Sequence, residues 1–389
     1  MFSHSLFRIM RALVIGCGRM GSAAAEDLAK GDIEVCVADK DATKAKETAE
    51  KIGKGNVKWF QFDASNKNEL IKALKDFDLA LGFLPPKFGF SLIEACVKAG
   101  KSLVDVSYMP ENPLLLHEEA LEADVTVVPS CGLAPGISNI LVGHTVAKLD
   151  KTHKVHIMVG GLPQTPFPPL GYVITWSPES LIDEYTSKAR IIKDGKKTEV
   201  EALNGLEEVM FQGVGKLEAF YTDGLRTLLY TIEGVDEMWE KTLRYPGHAE
   251  KIKLLRELSL FNDEEVIVEG CRISPRKVTA KLFEKKFVKP DVKDFVILRV
   301  EVFGLKNGKK TGYVYEMVDF YDEKSGTTAM ARTTAYTASI VANLILTKVI
   351  NLKGVVPPER LGMNEGIYHK IMAELDRRGI KIIEKTSVG

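Results

Sequence analysis

Arg11-Ala12-Leu13-Val14-Ile15-Gly16-Cys17-Gly18-Arg19-Met20-Gly21 decides the fold of this chain. An apolar strand runs straight into three glycines spaced G-x-G-x-x-G, and the alanine-rich stretch Ser22 to Lys30 then reads as a helix. A second apolar run, Ile33 to Ala38, ends in Asp39. The three glycines do different things. Gly16 permits the tight turn, Gly18 lets backbone approach a pyrophosphate, and Gly21 lets the helix lie close to the sheet. The phosphates would rest on the free N–H groups of the helix start, at Arg19 and Met20. Asp39 falls where a carboxylate takes both ribose hydroxyls of an adenosine. That favours NAD, because the acid would repel a 2′-phosphate, although Lys40 and Lys44 soften the preference. A glycine-rich turn in an ordinary parallel sheet is the plain alternative, and it does not need all three glycines.

Working outward, strand and helix patterns alternate through Val125 to Val128, the order that winds a parallel sheet. Six strands are expected. In such sheets ligands bind at the carboxyl ends of the strands. Those ends are Asp39 with Lys40, Asp63 with Ala64, Phe83-Leu84-Pro85, Asp105 with Ser107, and Ser130 with Cys131. Pro135, in Gly132-Leu133-Ala134-Pro135-Gly136, opens the next helix where small residues would let backbone approach a nicotinamide ribose or a substrate. The same segment would also serve as a hinge.

From Pro135 the pattern changes to alternating segments. Ala189 to Val200 turns at Asp194-Gly195, and Phe295 to Phe320 turns at Asn307-Gly308, both hairpin signals. The expected architecture is α/β: a Rossmann doubly wound parallel sheet plus a second α+β domain with a largely antiparallel sheet. The expected boundaries are 1–134 for the nucleotide domain, with 340–389 returning to it, and 135–339 for a substrate and dimerisation domain.

Composition removes several function classes. At 389 residues there is room for two cores, and 53 basic residues balance 53 acidic ones. No basic run is interleaved with aromatics, so nucleic acid is not an expected partner. The five cysteines, Cys17, Cys36, Cys96, Cys131 and Cys271, form no C-x-x-C pair, so no zinc site or disulfide framework is expected and a reduced cytoplasm fits. No apolar stretch reaches the roughly 20 residues of a membrane span.

Reactive types gather at Lys241-Thr242-Leu243-Arg244-Tyr245-Pro246-Gly247-His248. Pro246 and Gly247 would deliver His248 to a helix start, whose free N–H groups, with Arg244, would make a pocket for a substrate carboxylate. His248 would move protons near neutral pH, or it would simply cap the helix. Asp105 would hold a substrate ammonium or accept a proton, or would be a loop acid bonded to backbone amides. Tyr172 and Trp176 alternate on one expected strand and would line an apolar slot, or serve as plain core. His117, His144, His153, His156 and His369 have no partners at useful spacing and read as structural.

With these residues in view, the chain resembles the saccharopine dehydrogenase and reductase superfamily over nearly its whole length. The carrying motifs are Val14 to Gly21, Leu103-Val104-Asp105-Val106-Ser107-Tyr108, Gly132 to Gly136 and Thr242 to His248. Within that group, Cys131 to Gly136, Gly160-Gly161-Leu162-Pro163, Pro169-Leu170-Gly171-Tyr172 and Thr242 to His248 are most similar to L-lysine 6-dehydrogenases, archaeal ones among them. The resemblance implies NAD-dependent oxidation of the lysine ε-amine, release of ammonia, and cyclisation of the allysine to piperideine-6-carboxylate. It implies His248 or Asp105 as the base, Arg244 for the α-carboxylate, and Tyr172 and Trp176 for the chain. Two other readings stay open: an imine reductase of the saccharopine or carboxynorspermidine type, and a non-catalytic NAD-binding sensor. A homodimer built on the second domain's sheet is expected.

Overall fold

The computed structural model describes residues 9–175, 177–289 and 291–388. They divide into two compact units: one runs through Ile140 and resumes at Ala331–Gly379, and the other holds Leu141–Met330 and the segment from Ile380. The division falls at 140/141 and 330/331, where the sequence boundaries were expected at 134/135 and 339/340, and the end of the chain falls in the second unit.

In the first unit the strands are β1 (Met10–Ile15), β2 (Ile33–Asp39), β3 (Val57–Gln61), β4 (Leu79–Gly82), β5 (Ser102–Asp105) and β6 (Thr126–Val128). The second unit contributes β7 (Lys151–Pro163), β8 (Ala189–Lys193), β9 (Lys196–Val200), β10 (Glu207–Phe211), β11 (Gly215–Tyr221) and β12 (Glu237–Arg244). It continues with β13 (Val266–Val268), β14 (Cys271–Ile273), β15 (Asp294–Lys306) and β16 (Lys309–Phe320). Last come β17 (Gly354–Val355), which belongs to the first unit, and β18 (Ile383–Val388).

The first sheet is parallel throughout, in the order β17-β6-β5-β4-β1-β2-β3. The six expected strands gain a seventh, β17, supplied from the far end of the chain. Ala12 to Ile15 are essentially unexposed, as expected for a central strand covered on both faces. The chain leaves β1 towards β2 on one side and reaches β4 on the other, so the switch point lies at the end of β1, above Gly16. The C-terminal part of this unit is locked down through Asp27, a buried acid that accepts from Arg378 Nε at 2.9 Å and Ser339 Oγ at 2.6 Å.

The second unit is built on a nine-stranded sheet whose main path is β10-β11-β12-β7-β15-β16-β18, with β8 and β9 attached at β12. It is antiparallel except where β12 runs parallel to β7. Both turn signals are realised: Lys193 pairs with Lys196 across Asp194 (φ 51°) and Gly195 (φ 73°), and Lys306 with Lys309 across Asn307 (φ 52°) and Gly308 (φ 72°). Two consecutive positive φ angles are the two-residue hairpin geometry. The expected return of 340–389 to the first domain holds only in part, because β18 pairs with β16. Gly171 to Thr175 is not a strand; it is an irregular segment with one isolated bridge, Ile174 to Val288.

Candidate active site

In the first unit the glycine loop behaves as its spacing demands. Gly16 has φ 101°, and a Cβ there would stand 2.5 Å from the Phe83 carbonyl oxygen. A Cβ at Gly21 would run into the carbonyl of Gly16. At Gly18, by contrast, a Cβ would meet nothing, and Gly18 is exposed at the N-cap of the helix Arg19–Leu28. No side chain caps this helix and no acid stands in its first turn. The N–H groups are therefore presented to an anion across an open cradle, which fits a pyrophosphate. Arg19 and Met20, both half-buried, begin the helix.

Asp39 ends β2 with its carboxylate turned to the loop: Oδ2 accepts from Cys17 N–H at 2.7 Å and Oδ1 from Asp41 N–H at 3.0 Å. Each oxygen keeps lone-pair capacity for a ribose hydroxyl. Along the same edge, Lys40 is exposed, Asp63 accepts from Ser65 N–H at 2.9 Å beside Ala64, and Phe83, Leu84 and Pro85 leave β4. Pro135 is buried.

Asp105 sits at the end of β5, fully buried. Its Oδ2 accepts from the Ser107 amide at 2.9 Å and from the Ser107 hydroxyl, and its Oδ1 lies where a side chain at Gly82 would otherwise stand. Burial pushes its carboxyl up to about 6. Ser107 thus serves Asp105 in this structure.

The second unit brings four of the expected substrate residues together, Tyr172, Thr242, Arg244 and His248, and adds partners that no local pattern signalled. Trp176 lies outside the described residues. Gly247, at φ 84°, turns the chain so that His248 opens the helix His248–Glu257. His248 is 1% exposed. Its Nδ1 faces the Leu170 carbonyl at 2.9 Å, and a carbonyl only accepts, so Nδ1 carries the hydrogen. Nε2 then accepts from the Tyr185 hydroxyl at 2.8 Å. Burial and the nearby Arg244 charge push the imidazole down to about 3. His248 is a neutral link with both nitrogens committed, so the proton-moving duty expected of it has no free nitrogen here.

Arg244, at the end of β12, donates from Nη2 to Glu184 at 3.0 and 3.3 Å, and from Nη1 to the Leu243 carbonyl at 2.9 Å. Its guanidinium lies 4.4 Å from the Tyr172 ring centroid. Thr242 Oγ1 is 2.9 Å from Thr222 Oγ1. The helix start beside His248 is not open to a substrate anion. The buried Glu218 fills it, accepting from Gly247 N–H at 2.8 Å and Ala249 N–H at 2.5 Å. That corrects the expectation of free N–H groups: Glu218, on β11 opposite Arg244, reaches across the sheet and occupies them.

Period-two alternation places Glu240, Thr242 and Arg244 on one face of β12. Glu240 is 4% exposed, and its Oε2 has no hydrogen-bond partner. Its carboxyl lies flat on Gly224, where any Cβ would overlap it. Burial pushes this carboxyl up to about 8, with Glu184 and Asp223 adding to the effect and Arg226 opposing it. Glu184, Glu218 and Glu240 are the members that sequence reasoning missed; the only local sign was their position on half-polar strands and a helix around an otherwise apolar core. Among the described residues, no group of three or more His, Cys, Asp or Glu is placed to hold a metal ion, and no helix is long and apolar enough to cross a membrane.

A parallel sheet with a glycine-rich first turn and an acid at the end of β2 defines a pyridine-nucleotide-binding protein, here joined to a mixed-sheet domain with a buried polar cluster. Residues 12–128 match the saccharopine dehydrogenase NADP binding domain and residues 132–380 the saccharopine dehydrogenase C-terminal domain. The chain belongs to the saccharopine dehydrogenase family, whose members are oxidoreductases of amino-acid and amine substrates. It is 25% identical to the Saccharomyces cerevisiae saccharopine dehydrogenase [NADP(+), L-glutamate-forming], over 96% of this chain and 98% of that protein. It is 25% identical to the alpha-aminoadipic semialdehyde synthase of Arabidopsis thaliana, over 96% of this chain but only 44% of that protein, and so spans less than half of it. The carboxyaminopropylagmatine dehydrogenase of a Synechocystis species is 22% identical over 79% of this chain and 81% of that protein. A solved structure of the saccharopine dehydrogenase (L-Glu forming) from Saccharomyces cerevisiae shares the fold with a TM-score of 0.80, at 22% identity, covering 97% of this chain and 100% of that one.

Proposed function

We propose that the chain is an NAD-dependent L-lysine 6-dehydrogenase. The observation that carries this reading is the charge of the buried cluster in the second unit. Arg190 and Arg226, which a substrate with further carboxylates would need, are both paired with Asp223, Arg190 through two bonds of 3.0 and 2.8 Å and Arg226 at 3.4 Å. Arg272 stands on the exposed hairpin strand β14. With Glu184, Glu218 and Glu240 also present, the cluster suits a substrate with one carboxylate and free amines better than one with several carboxylates.

The bound dinucleotide would accept a hydride from the ε-carbon. The substrate ammonium must first lose a proton, because its nitrogen then has the lone pair that assists hydride departure. Water adds to the iminium, and ammonium leaves: lysine, NAD and water give allysine, NADH, ammonium and one proton. Arg244, with N–H capacity on its terminal nitrogens beyond the bonds to Glu184 and Leu243 and with Nε given to the Tyr185 hydroxyl, would hold the α-carboxylate. Tyr172 would flank the chain. Between the two acid-base candidates, Asp105 with its carboxyl at about 6 is the better matched to neutral pH. Asp39 supports NAD over NADP, because its carboxylate would accept the ribose hydroxyls and repel a 2′-phosphate.

A second reading, saccharopine oxidation with NADP, draws support from the near full-length likeness to the yeast enzyme. The test is reduced-dinucleotide formation with L-lysine, saccharopine or ornithine, each with NAD and NADP, with ammonia assayed in parallel. Lysine-dependent NADH matched by ammonia is the expected result. Turnover of saccharopine alone would move the assignment to the second reading, and tight dinucleotide binding with no turnover would leave a sensor. Asp39→Ala should weaken NAD about tenfold, a loss of roughly 1.4 kcal/mol, and narrow its advantage over NADP; unchanged affinities for both would remove Asp39 from the ribose site.

A further inference from the structure

One buried acid in the second unit is left without a counterpart. Glu240 Oε2 is shielded from water and accepts no hydrogen bond, although nearly all buried polar groups in folded proteins find a partner. The charged groups facing it are Arg226 and Asp223 from the loop after β11 and Glu184 from the helix Pro178–Thr186. Arg226 already pairs with Asp223, and Glu184 with Arg244. Asp223 is thus matched by Arg190 and Arg226, and Glu184 by Arg244, while Glu240 Oε2 is left without a donor. Gly224 allows the carboxyl to lie in place, since any side chain there would displace it.

We propose that Glu240, with the neighbouring Glu184, receives the α-ammonium group of the substrate, so that the cluster reads both ends of an amino-acid head: carboxylate on Arg244, ammonium between the two glutamates. This rests on the amino-acid reading above and extends it to a specificity element. An ammonium carries three donors and one positive charge, which is what Glu240 Oε2 lacks. At pH 7 the carboxyl of Glu240 holds its proton in the free protein. Binding exchanges one cation for another: the ammonium takes the place of the carboxyl proton, which leaves to solvent, and no bond to carbon changes.

The test uses the full chain saturated with reduced dinucleotide, so that no turnover occurs. Binding of L-lysine and of 6-aminohexanoate, which lacks the α-ammonium, is measured calorimetrically at pH 7 in two buffers of different ionisation enthalpy. The expected result is release of about one proton with lysine and none with 6-aminohexanoate. E240Q, isosteric with the protonated carboxyl, should abolish the release, weaken lysine by about tenfold or more, and leave 6-aminohexanoate unchanged. Equal proton release and equal discrimination in E240Q would overturn the proposal. If lysine fails to bind but saccharopine binds with Glu240-dependent proton release, the lysine reading falls and the ammonium site stands. Failure of lysine, saccharopine, ornithine and 1,5-diaminopentane alike to bind the folded protein overturns both.

Discussion

Replacing Glu218 by glutamine tests whether the start of the helix His248–Glu257 is a built cap or a vacant anion site held by a displaceable side chain. In the wild type one carboxylate accepts two backbone N–H groups, from Gly247 at 2.8 Å and Ala249 at 2.5 Å, inside the protein. A hydrogen bond to a charged acceptor contributes about 1.5–3 kcal/mol, and a glutamine amide can keep only one, neutral bond while its NH2 faces the other N–H. The net loss should be about 2–4 kcal/mol, which for a unit of this size lowers its melting temperature by roughly 5–15 °C. Calorimetry of the full chain, with circular dichroism to follow the fold, measures the shift, and calorimetric titration with L-lysine measures binding. A fixed cap predicts weaker lysine binding, because His248 and Arg244 lose their support. The reasoning fails if E218Q melts within a degree of wild type, or if it binds lysine more tightly, as expected were the substrate carboxylate to compete with Glu218 for the same N–H groups.

Three further outcomes are expected. Gly21→Val should abolish measurable dinucleotide binding in a fluorescence titration while the second unit keeps its melting transition, because the new side chain meets the backbone of Gly16 rather than a flexible neighbour; binding within about threefold of wild type, under 1 kcal/mol, would contradict this. Burial raises the Glu240 carboxyl in the folded chain to about 8, above the roughly 4.3 of an unfolded glutamate. The folded state thus holds a proton that the unfolded chain gives up, and this contribution, whole below pH ~4, declines as pH rises towards ~8. The melting temperature of E240Q relative to wild type should therefore climb between pH 5 and pH 8, and a constant difference would mean that Glu240 ionises freely. Asp27→Asn should lower the first unit's melting transition by roughly 5 °C or more, since Arg378 and Ser339 then share a neutral amide oxygen in place of a buried carboxylate; an unchanged transition would show that the C-terminal helices dock without the charge.

How much of this could be read from the chain depended on how local each interaction is. The glycine loop was legible because φ at Gly16 and the closeness of Gly21 to Gly16 are settled within six residues. The hairpins at Asp194-Gly195 and Asn307-Gly308 were legible for the same reason. The segment around Tyr172 misled because its alternation of large apolar residues matches a strand, while its backbone finds only one bridge, at Ile174, and its side chains are buried in a cluster built from the helices Pro178–Thr186, His248–Glu257 and Pro275–Phe287 instead. The C-terminal strand β18 carried too little apolar pattern to announce its partner; all six of its residues are exposed.

The sequence by itself determined the parallel nucleotide-binding sheet, the acid at the end of β2, the two tight hairpins and the gathering of Thr242, Arg244 and His248 on one strand-to-helix turn, since each rests on backbone geometry or periodicity over a few residues. The tertiary structure alone decided what those side chains can do. Arg244 meets Glu184 across 60 positions, His248 meets Tyr185 across 63, and Glu218 reaches Ala249 across 31. Charge and protonation in a buried cluster depend on every neighbour within a few ångströms and on the loss of water around them, and neither is encoded in the spacing of residues along the chain.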